Sequence, residues 1–222
     1  MPPATYACPS GAAATLRPGG RHATDFTSMS PLEIERRAHA IKPGEWAVER
    51  QRPIATLLGS CVAVCLIDTG IPIAGMNHFM LPQMKSNPNA DVDILLAGDA
   101  CMEALLNAML QRGAAKHRIK AKAFGGGAVI DATLPTSLAI GKRNADFAHE
   151  WLDRENIPLL ASDFLGPWSR KVLLVPANGD VYCRRAASGL ITDEALRREE
   201  RVYAESLQRQ SAAVGRKIEL FG

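Results

Sequence analysis

The feature that most constrains the fold is an apolar stretch at residues 54–68, IATLLGSCVAVCLID, broken only by a Gly-Ser pair. Residues 61–67 are rich in Val, Ile, Leu and Cys, which is typical of a buried strand. A turn at residues 68–70 leads to a second apolar segment at residues 73–81. The two segments therefore predict a hairpin-like pair of strands.

The rest of the chain alternates between strand-like and helix-like patterns. An amphipathic helix is predicted from Asp91, its N-cap, to just before Gly113, and a second one at residues 142–155. Strands are predicted at residues 45–48, 118–124, 159–164, 171–175 and 181–183. This mixed order, with hairpins at both ends, favours an α+β sandwich over a doubly wound parallel sheet.

The chain length of 222 residues favours one domain with appendages. Residues 1–30 are rich in Pro, Gly, Ala, Ser and Thr, which predicts a flexible tail. The folded domain is assigned to residues 31–190, and residues 191–222 are assigned to a charged helix and tail. That helix has only a thin apolar stripe, so a solvated surface helix is predicted and a protein-binding role stays open.

Charge and cysteine content exclude several classes of protein. The chain has 26 Lys and Arg against 23 Asp and Glu, and a net charge of +3 is too small to indicate nucleic acid or a membrane surface. No stretch approaches the roughly 18–20 apolar residues of a membrane span, and no secretory leader is visible. An odd number of cysteines, 5, fits a reducing compartment. We therefore expect a cytoplasmic protein.

Cys61 has the surroundings that a thiolate nucleophile needs. It follows Gly59 and Ser60, where a tight turn could expose the sulfur and leave backbone N–H groups free to bind an oxyanion. His78 lies 17 residues later on the predicted partner strand, where an imidazolium could pair with the thiolate and lower the thiol pKa. The spacing alone leaves a purely structural role for this pair open.

Other conspicuous residues are assigned to structure rather than to chemistry. Cys65 and Cys101 lie in apolar surroundings and are predicted to be core residues. Gly125-Gly126-Gly127 lacks the remaining residues of a phosphate-binding loop. A close approach of the backbone at the rim of a site is the simpler interpretation of these glycines.

Four motifs that occur in one order resemble the chemoreceptor glutamine deamidase family, CheD. The resemblance covers residues 43–185, and four motifs together are more specific than any one alone. The motifs are TLLGSCVAVC at residues 56–65, GMNHFMLP at 75–82, FGGGA at 124–128 and IGKRN at 140–144.

The resemblance implies a function. Members of this family convert selected glutamines of methyl-accepting chemotaxis receptors to glutamate with release of ammonia, and some also hydrolyse receptor glutamyl methyl esters. The implied enzyme is a cysteine-dependent protein-glutamine glutaminase with no metal or organic cofactor. The family's nucleophile corresponds to Cys61 and its histidine to His78. The family's third catalytic residue is a threonine shortly before the cysteine, and Thr56 is its nearest match. In some members that threonine lies at the position of Ala55.

The resemblance also implies a fold and partners. The fold is a layered α/β sandwich with flanking helices, similar to the catalytic domain of the cytotoxic necrotizing factors. The expected partners are the receptors and, in some bacteria, a CheC-type phosphatase; neither nucleic acid nor membrane insertion is expected. A non-catalytic adaptor that binds such a phosphatase is an alternative, as is a cysteine hydrolase acting on other amides.

Overall fold

The computed structural model describes residues 6–7, 29–81, 90–128, 135–186, 194, 198–206 and 209. Within these residues the helices are α1 (Pro31–Arg37), α2 (Ala90–Gln111), α3 (Pro135–Arg154) and α4 (198–206). The strands are β1 (Tyr6–Ala7), β2 (His39–Ala40), β3 (Trp46–Glu49), β4 (Ile54–Leu58), β5 (Val62–Asp68), β6 (Ala74–Asn77), β7 (Ile119–Gly125), β8 (Leu159–Phe164), β9 (Ser169–Val175) and β10 (Asp180–Ala186).

The strands form two five-stranded sheets. The order of the first sheet is β1-β10-β9-β4-β2, and that of the second is β3-β6-β5-β7-β8. Most neighbours are antiparallel, whereas β2 with β4 and β7 with β8 are parallel. Helices cover the outer faces. The predicted α+β sandwich of mainly antiparallel and mixed sheets with flanking helices is therefore confirmed.

Every residue of β5 is buried, because its side chains point alternately to the two faces of the sheet and both faces are covered. Val62, Val64 and Leu66 face α2 and α3, where they pack with residues such as Met102 and Trp151. The residues between them face the first sheet and form a second core with β4 and β9. A strand covered on both faces needs apolar residues at every position, which accounts for the uninterrupted composition of this segment.

The apolar stretch at residues 54–68 is two strands in two different sheets. β4 belongs to the first sheet and β5 to the second, so residues 59–61 carry the chain from one layer to the other. The predicted pairing of β5 with the following strand is confirmed as antiparallel. His78 lies just after β6 rather than within it, and its N–H donates to the carbonyl of Glu45 at 2.9 Å.

The predicted helices are present with shifted ends. α2 begins at Ala90, and Gly113, with a φ of 97°, follows its end as expected. α3 begins at Pro135, earlier than predicted. α1 was not predicted, although Ser30 and Glu33 form a capping box at its start. None of the described helices is long and apolar enough to cross a membrane.

The division into a domain and two tails stays a prediction. Most of residues 1–30 lie outside the described residues, although β1 pairs with β10. Leu196 and Leu207, two members of the predicted stripe on the terminal helix, also lie outside the described residues.

The glycine loop after β7 packs directly on α3, and this contact generates a stability prediction. A Cβ on Gly126, whose φ is 66°, would lie 2.6 Å from the carbonyl oxygen of Gly141, and a Cβ on Gly141 would clash with the carbonyl of Gly126. We expect Gly141→Ala to lower the free energy of unfolding by about 1–3 kcal/mol, because backbone must move to admit the methyl group. Urea unfolding followed by circular dichroism measures this.

The matched control is Glu150→Ala, at an exposed position of the same helix. It should change the free energy of unfolding by less than about 0.5 kcal/mol. A Gly141→Ala protein as stable as the parent would contradict the close approach of the two backbones.

Candidate active site

The turn that joins the two sheets is held by the glycine loop after β7. Gly126 N donates to the carbonyl of Cys61 at 2.8 Å, and Gly127 N donates to the carbonyl of Gly59 at 2.7 Å. Gly125, with a φ of 125°, has no room for a Cβ because it would clash with the carbonyl of Cys61. These glycines therefore serve a close backbone approach beside Cys61, as predicted.

Asn144 of α3 fixes the same turn from the other side. Its side-chain amide is fully buried, and Nδ2 donates to the carbonyl of Ser60 at 2.8 Å. Its Oδ1 accepts from Leu81 N at 2.9 Å. One side chain thus connects the turn before β5 to the segment that follows His78. No role was predicted for Asn144, although this residue ends one of the four motifs.

Cys61 and His78 face the same layer of the sandwich. Val62 and Phe79 are directly opposite each other and exchange two backbone hydrogen bonds of 2.9 Å. Both pack toward the helices, so their neighbours Cys61 and His78 point the other way, toward the first sheet. Diagonal neighbours of this kind lie roughly 7–8 Å apart along the strands. The structure therefore places the two predicted residues as diagonal neighbours on the face of the second sheet that meets the first.

Thr56 reaches the histidine from the facing sheet. Its Oγ1 lies 2.8 Å from the carbonyl oxygen of Ile41 and 2.8 Å from His78 Nδ1. A hydroxyl has one proton, which Thr56 donates to the Ile41 carbonyl, so Thr56 Oγ1 accepts a hydrogen bond from the N–H at Nδ1. His78 consequently has its proton on Nδ1 and a lone pair on Nε2. Among the described residues Nε2 has no hydrogen-bond partner, although it is buried.

Burial keeps both Cys61 and His78 neutral in this structure. It lowers the pKa of His78 to about 3. Burial also raises the pKa of the Cys61 thiol well above its ordinary value, and the nearby carboxylate of Glu200 raises it further. The lowered thiol pKa that the sequence analysis considered is therefore wrong for this state, because a buried thiol next to a carboxylate is disfavoured as a thiolate.

Glu200 of α4 is the residue of the site that the sequence analysis missed. Its Oε1 accepts hydrogen bonds from Gly59 N at 3.1 Å and Cys61 N at 3.2 Å, and its Oε2 accepts from Ser60 Oγ at 2.8 Å. Glu200 is buried, whereas α4 was predicted to be a solvated helix. Two backbone N–H groups that converge on one oxygen form the geometry of an oxyanion hole.

Cys65 and Cys101 are core residues, as predicted. Cys65 lies on the same face of β5 as Cys61 and is fully buried between the two sheets. Cys101 is partly buried and packs against the core below α2. Burial raises the pKa of Cys65 and raises that of Cys101 to about 12. Both thiols are therefore held in the neutral form.

Comparison with known proteins gives one consistent family. A family model described as CheD chemotactic sensory transduction matches residues 80–185. "Probable chemoreceptor glutamine deamidase CheD 2" of Dechloromonas aromatica (strain RCB) is 57% identical over 197 residues, which are 89% of this chain and 100% of that protein. A protein of the same name from Burkholderia thailandensis is 40% identical and aligns with 85% of this chain and 95% of its own.

This chain belongs to the CheD family.

The match to the family model begins after the three predicted site residues, Thr56, Cys61 and His78. Their assignment therefore depends on the geometry described above. Among solved structures, the Bacillus licheniformis hypothetical protein YfiH aligns with 59% of this chain and 60% of its own, with 12% identity and a TM-score of 0.35. That likeness is too low to support an inference, and the expected similarity to the cytotoxic necrotizing factors stays a prediction.

The lowered pKa of His78 predicts how stability depends on pH. Its ordinary pKa is 6.5 and its value in the folded protein is about 3, so the unfolded chain binds a proton between these values that the folded protein does not. The free energy of unfolding should therefore fall as the pH is lowered from 6.5 to about 5, by up to about 1.4 kcal/mol per pH unit from this group. Urea unfolding at a series of pH values measures the slope.

The variant His78→Gln should lose this part of the slope, because it removes the titrating group. His117→Gln, at an exposed position, is the matched control and should keep it. An identical slope in the parent and in His78→Gln would contradict the neutral, buried state of His78.

Proposed function

We propose that this chain is a chemoreceptor glutamine deamidase in which Cys61 is the nucleophile. The observation that carries the proposal is the convergence of Gly59 N and Cys61 N on one carboxylate oxygen, beside a buried cysteine and histidine. Acyl transfer from an amide needs such a pair of donors next to the attacking atom. The family relationship supplies the substrate, a glutamine side chain of a receptor.

The reaction begins with both side chains neutral. As the sulfur of Cys61 attacks the carboxamide carbon, His78 Nε2 takes the thiol proton, and the carbonyl oxygen becomes an oxyanion held by Gly59 N and Cys61 N. The C–N bond then breaks, and His78 returns the proton to the departing nitrogen, which leaves as ammonia. The product of this half of the reaction is a thioester between Cys61 and the receptor side chain.

Water completes the reaction. His78 Nε2 takes a proton from a water molecule that attacks the thioester carbon, and the C–S bond breaks with return of the proton to the sulfur. The receptor leaves with a glutamate, and Cys61 is regenerated as a thiol. A glutamyl methyl ester can follow the same steps with methanol as the leaving group.

Thr56 orients the base in this scheme. By accepting from His78 Nδ1 it keeps the lone pair on Nε2, the nitrogen that exchanges protons with the sulfur and the water. The chemistry needs a reduced Cys61, which favours a cytoplasmic location. Thiol attack and proton transfer account for every step, so the proposed reaction requires no metal or organic cofactor.

The decisive test is Cys61→Ala assayed on receptor cytoplasmic fragments by peptide mass spectrometry. The parent should convert specific glutamines to glutamate with release of ammonia, and Cys61→Ala should abolish the conversion because no nucleophile remains. Cys101→Ala, which removes a thiol outside the site, is the control and should keep the activity.

Persistent deamidation by Cys61→Ala would overturn the nucleophile assignment. Backbone cleavage or amine incorporation by the parent would indicate a different cysteine hydrolase. If the parent leaves every glutamine intact but stimulates a CheC-type phosphatase, the adaptor role replaces the enzyme.

The role of Thr56 predicts a graded result. Thr56→Val should lower kcat for deamidation about tenfold or more with little change in KM, because it removes the acceptor that fixes the His78 tautomer. Thr56→Ser should restore most of the rate, since it keeps the hydroxyl. Steady-state ammonia release measures both constants, and an equal loss in the Val and Ser variants would argue for packing rather than hydrogen bonding.

A further inference from the structure

Helix α4 places a carboxylate where the proposed reaction places its product. Deamidation of a glutamine leaves a glutamate side chain, and Glu200 is a glutamate side chain whose Oε1 binds Gly59 N and Cys61 N. Its carboxylate also raises the pKa of the Cys61 thiol. A Cβ on Gly59 would lie 2.8 Å from Oε1, so a side chain at residue 59 would crowd the carboxylate.

The same face of α4 also contacts the loop before β3, which is hydrogen-bonded to His78. Tyr203 and Ala204, three and four residues after Glu200, pack against the core between the sheets. The ring of Tyr203 covers Gly44, where a Cβ would lie 2.5 Å from a ring carbon. Gly44 N donates to the carbonyl of His78 at 2.8 Å. One helix therefore contacts both the turn that carries Cys61 and the residue that is hydrogen-bonded to the carbonyl of His78.

In α4 one charged residue faces the core and one apolar residue faces outward. Glu200 is 2% exposed, whereas the apolar Val202 is 57% exposed on the outer side. Burial of a carboxylate is unfavourable unless donors replace its water. Here two N–H groups and the Ser60 hydroxyl do so. The docking of α4 therefore depends on recognition of one carboxylate rather than on apolar burial alone.

We propose that α4 is an internal, product-like ligand of the active site, in which Glu200 occupies the oxyanion hole and must leave before a receptor glutamine can enter. The product-like character rests on the proposed function, whereas the occupancy rests on the contacts of Glu200 alone. The receptor and α4 compete for one site. The apparent affinity for the receptor is then reduced by the fraction of molecules in which α4 is docked.

Two measurements on Glu200→Ala test the occupancy. Alkylation of Cys61 by iodoacetamide, followed by peptide mass spectrometry to separate it from the other cysteines, reports access to the sulfur without any assumption about function. Receptor deamidation at limiting substrate reports access of the glutamine. Both rates should rise at least about tenfold, because the substitution removes all three hydrogen bonds to the carboxylate and the loss of even one such bond corresponds to about this factor. Glu199→Ala, on the exposed side of α4, should leave both rates unchanged.

The variant Glu200→Gln tests the product-like character. It presents an amide to Cys61 within the same molecule, so the enzyme should convert this amide back to glutamate at a rate independent of protein concentration. The conversion should be absent when Cys61→Ala is combined with it. The amide of Glu199→Gln should survive under the same conditions. Peptide mass spectrometry follows the mass gain at each position.

The outcomes separate this proposal from the proposed function. Unchanged alkylation and receptor deamidation in Glu200→Ala would overturn the occupancy while the deamidase assignment stands. Survival of the introduced amide in a chain that deamidates receptors would overturn the product-like assignment. If alkylation rises but neither the receptor nor the introduced amide reacts, the proposed function fails and the product-like character of Glu200 fails with it.

Discussion

The site depends on the way the chain crosses from one sheet to the other at residues 59–61. This turn lies between packed layers, where each backbone carbonyl needs a donor. Gly127 N, Asn144 Nδ2 and Gly126 N bind the carbonyls of residues 59, 60 and 61 in turn. With all three carbonyls held away from the site, the N–H groups of residues 59 and 61 are left to point into it. The convergence of these two N–H groups on one oxygen is thus a consequence of how the carbonyls of the crossing are satisfied.

Burial and charge act together on the chemistry of the site. Thr56 accepts a hydrogen bond from His78 Nδ1, so the lone pair of the imidazole lies on Nε2. While α4 is docked, burial and the Glu200 carboxylate raise the pKa of Cys61. The docked helix therefore both fills the oxyanion hole and disfavours the thiolate. Its departure would admit water and remove a negative charge, and both changes favour the thiolate.

Much of the sandwich could be predicted from local pattern, because strands such as β7 alternate and hairpins such as β9–β10 have turn residues between them. The crossing at residues 59–61 could not, since β4 and β5 are buried on both faces and their composition does not show a change of sheet. The predicted hairpin placed Cys61 and His78 on neighbouring segments of the chain, as the structure does. The contact of Thr56 with His78 depends on the packing of two sheets, which no spacing along the chain encodes.

Glu200 was missed for a different physical reason. Charged residues of an amphipathic helix ordinarily face water, so the sequence predicted a solvated helix and gave no sign of a buried carboxylate. The contact joins Glu200 to Cys61 across 139 residues, and α4 lies beyond the part matched by the family model, which ends at residue 185. The identity of the residue fits its place: a glutamine there would be open to attack, whereas a carboxylate repels a thiolate and has no amine to lose. In the proposed reaction a glutamate can therefore bind Gly59 N and Cys61 N beside the thiol without being consumed.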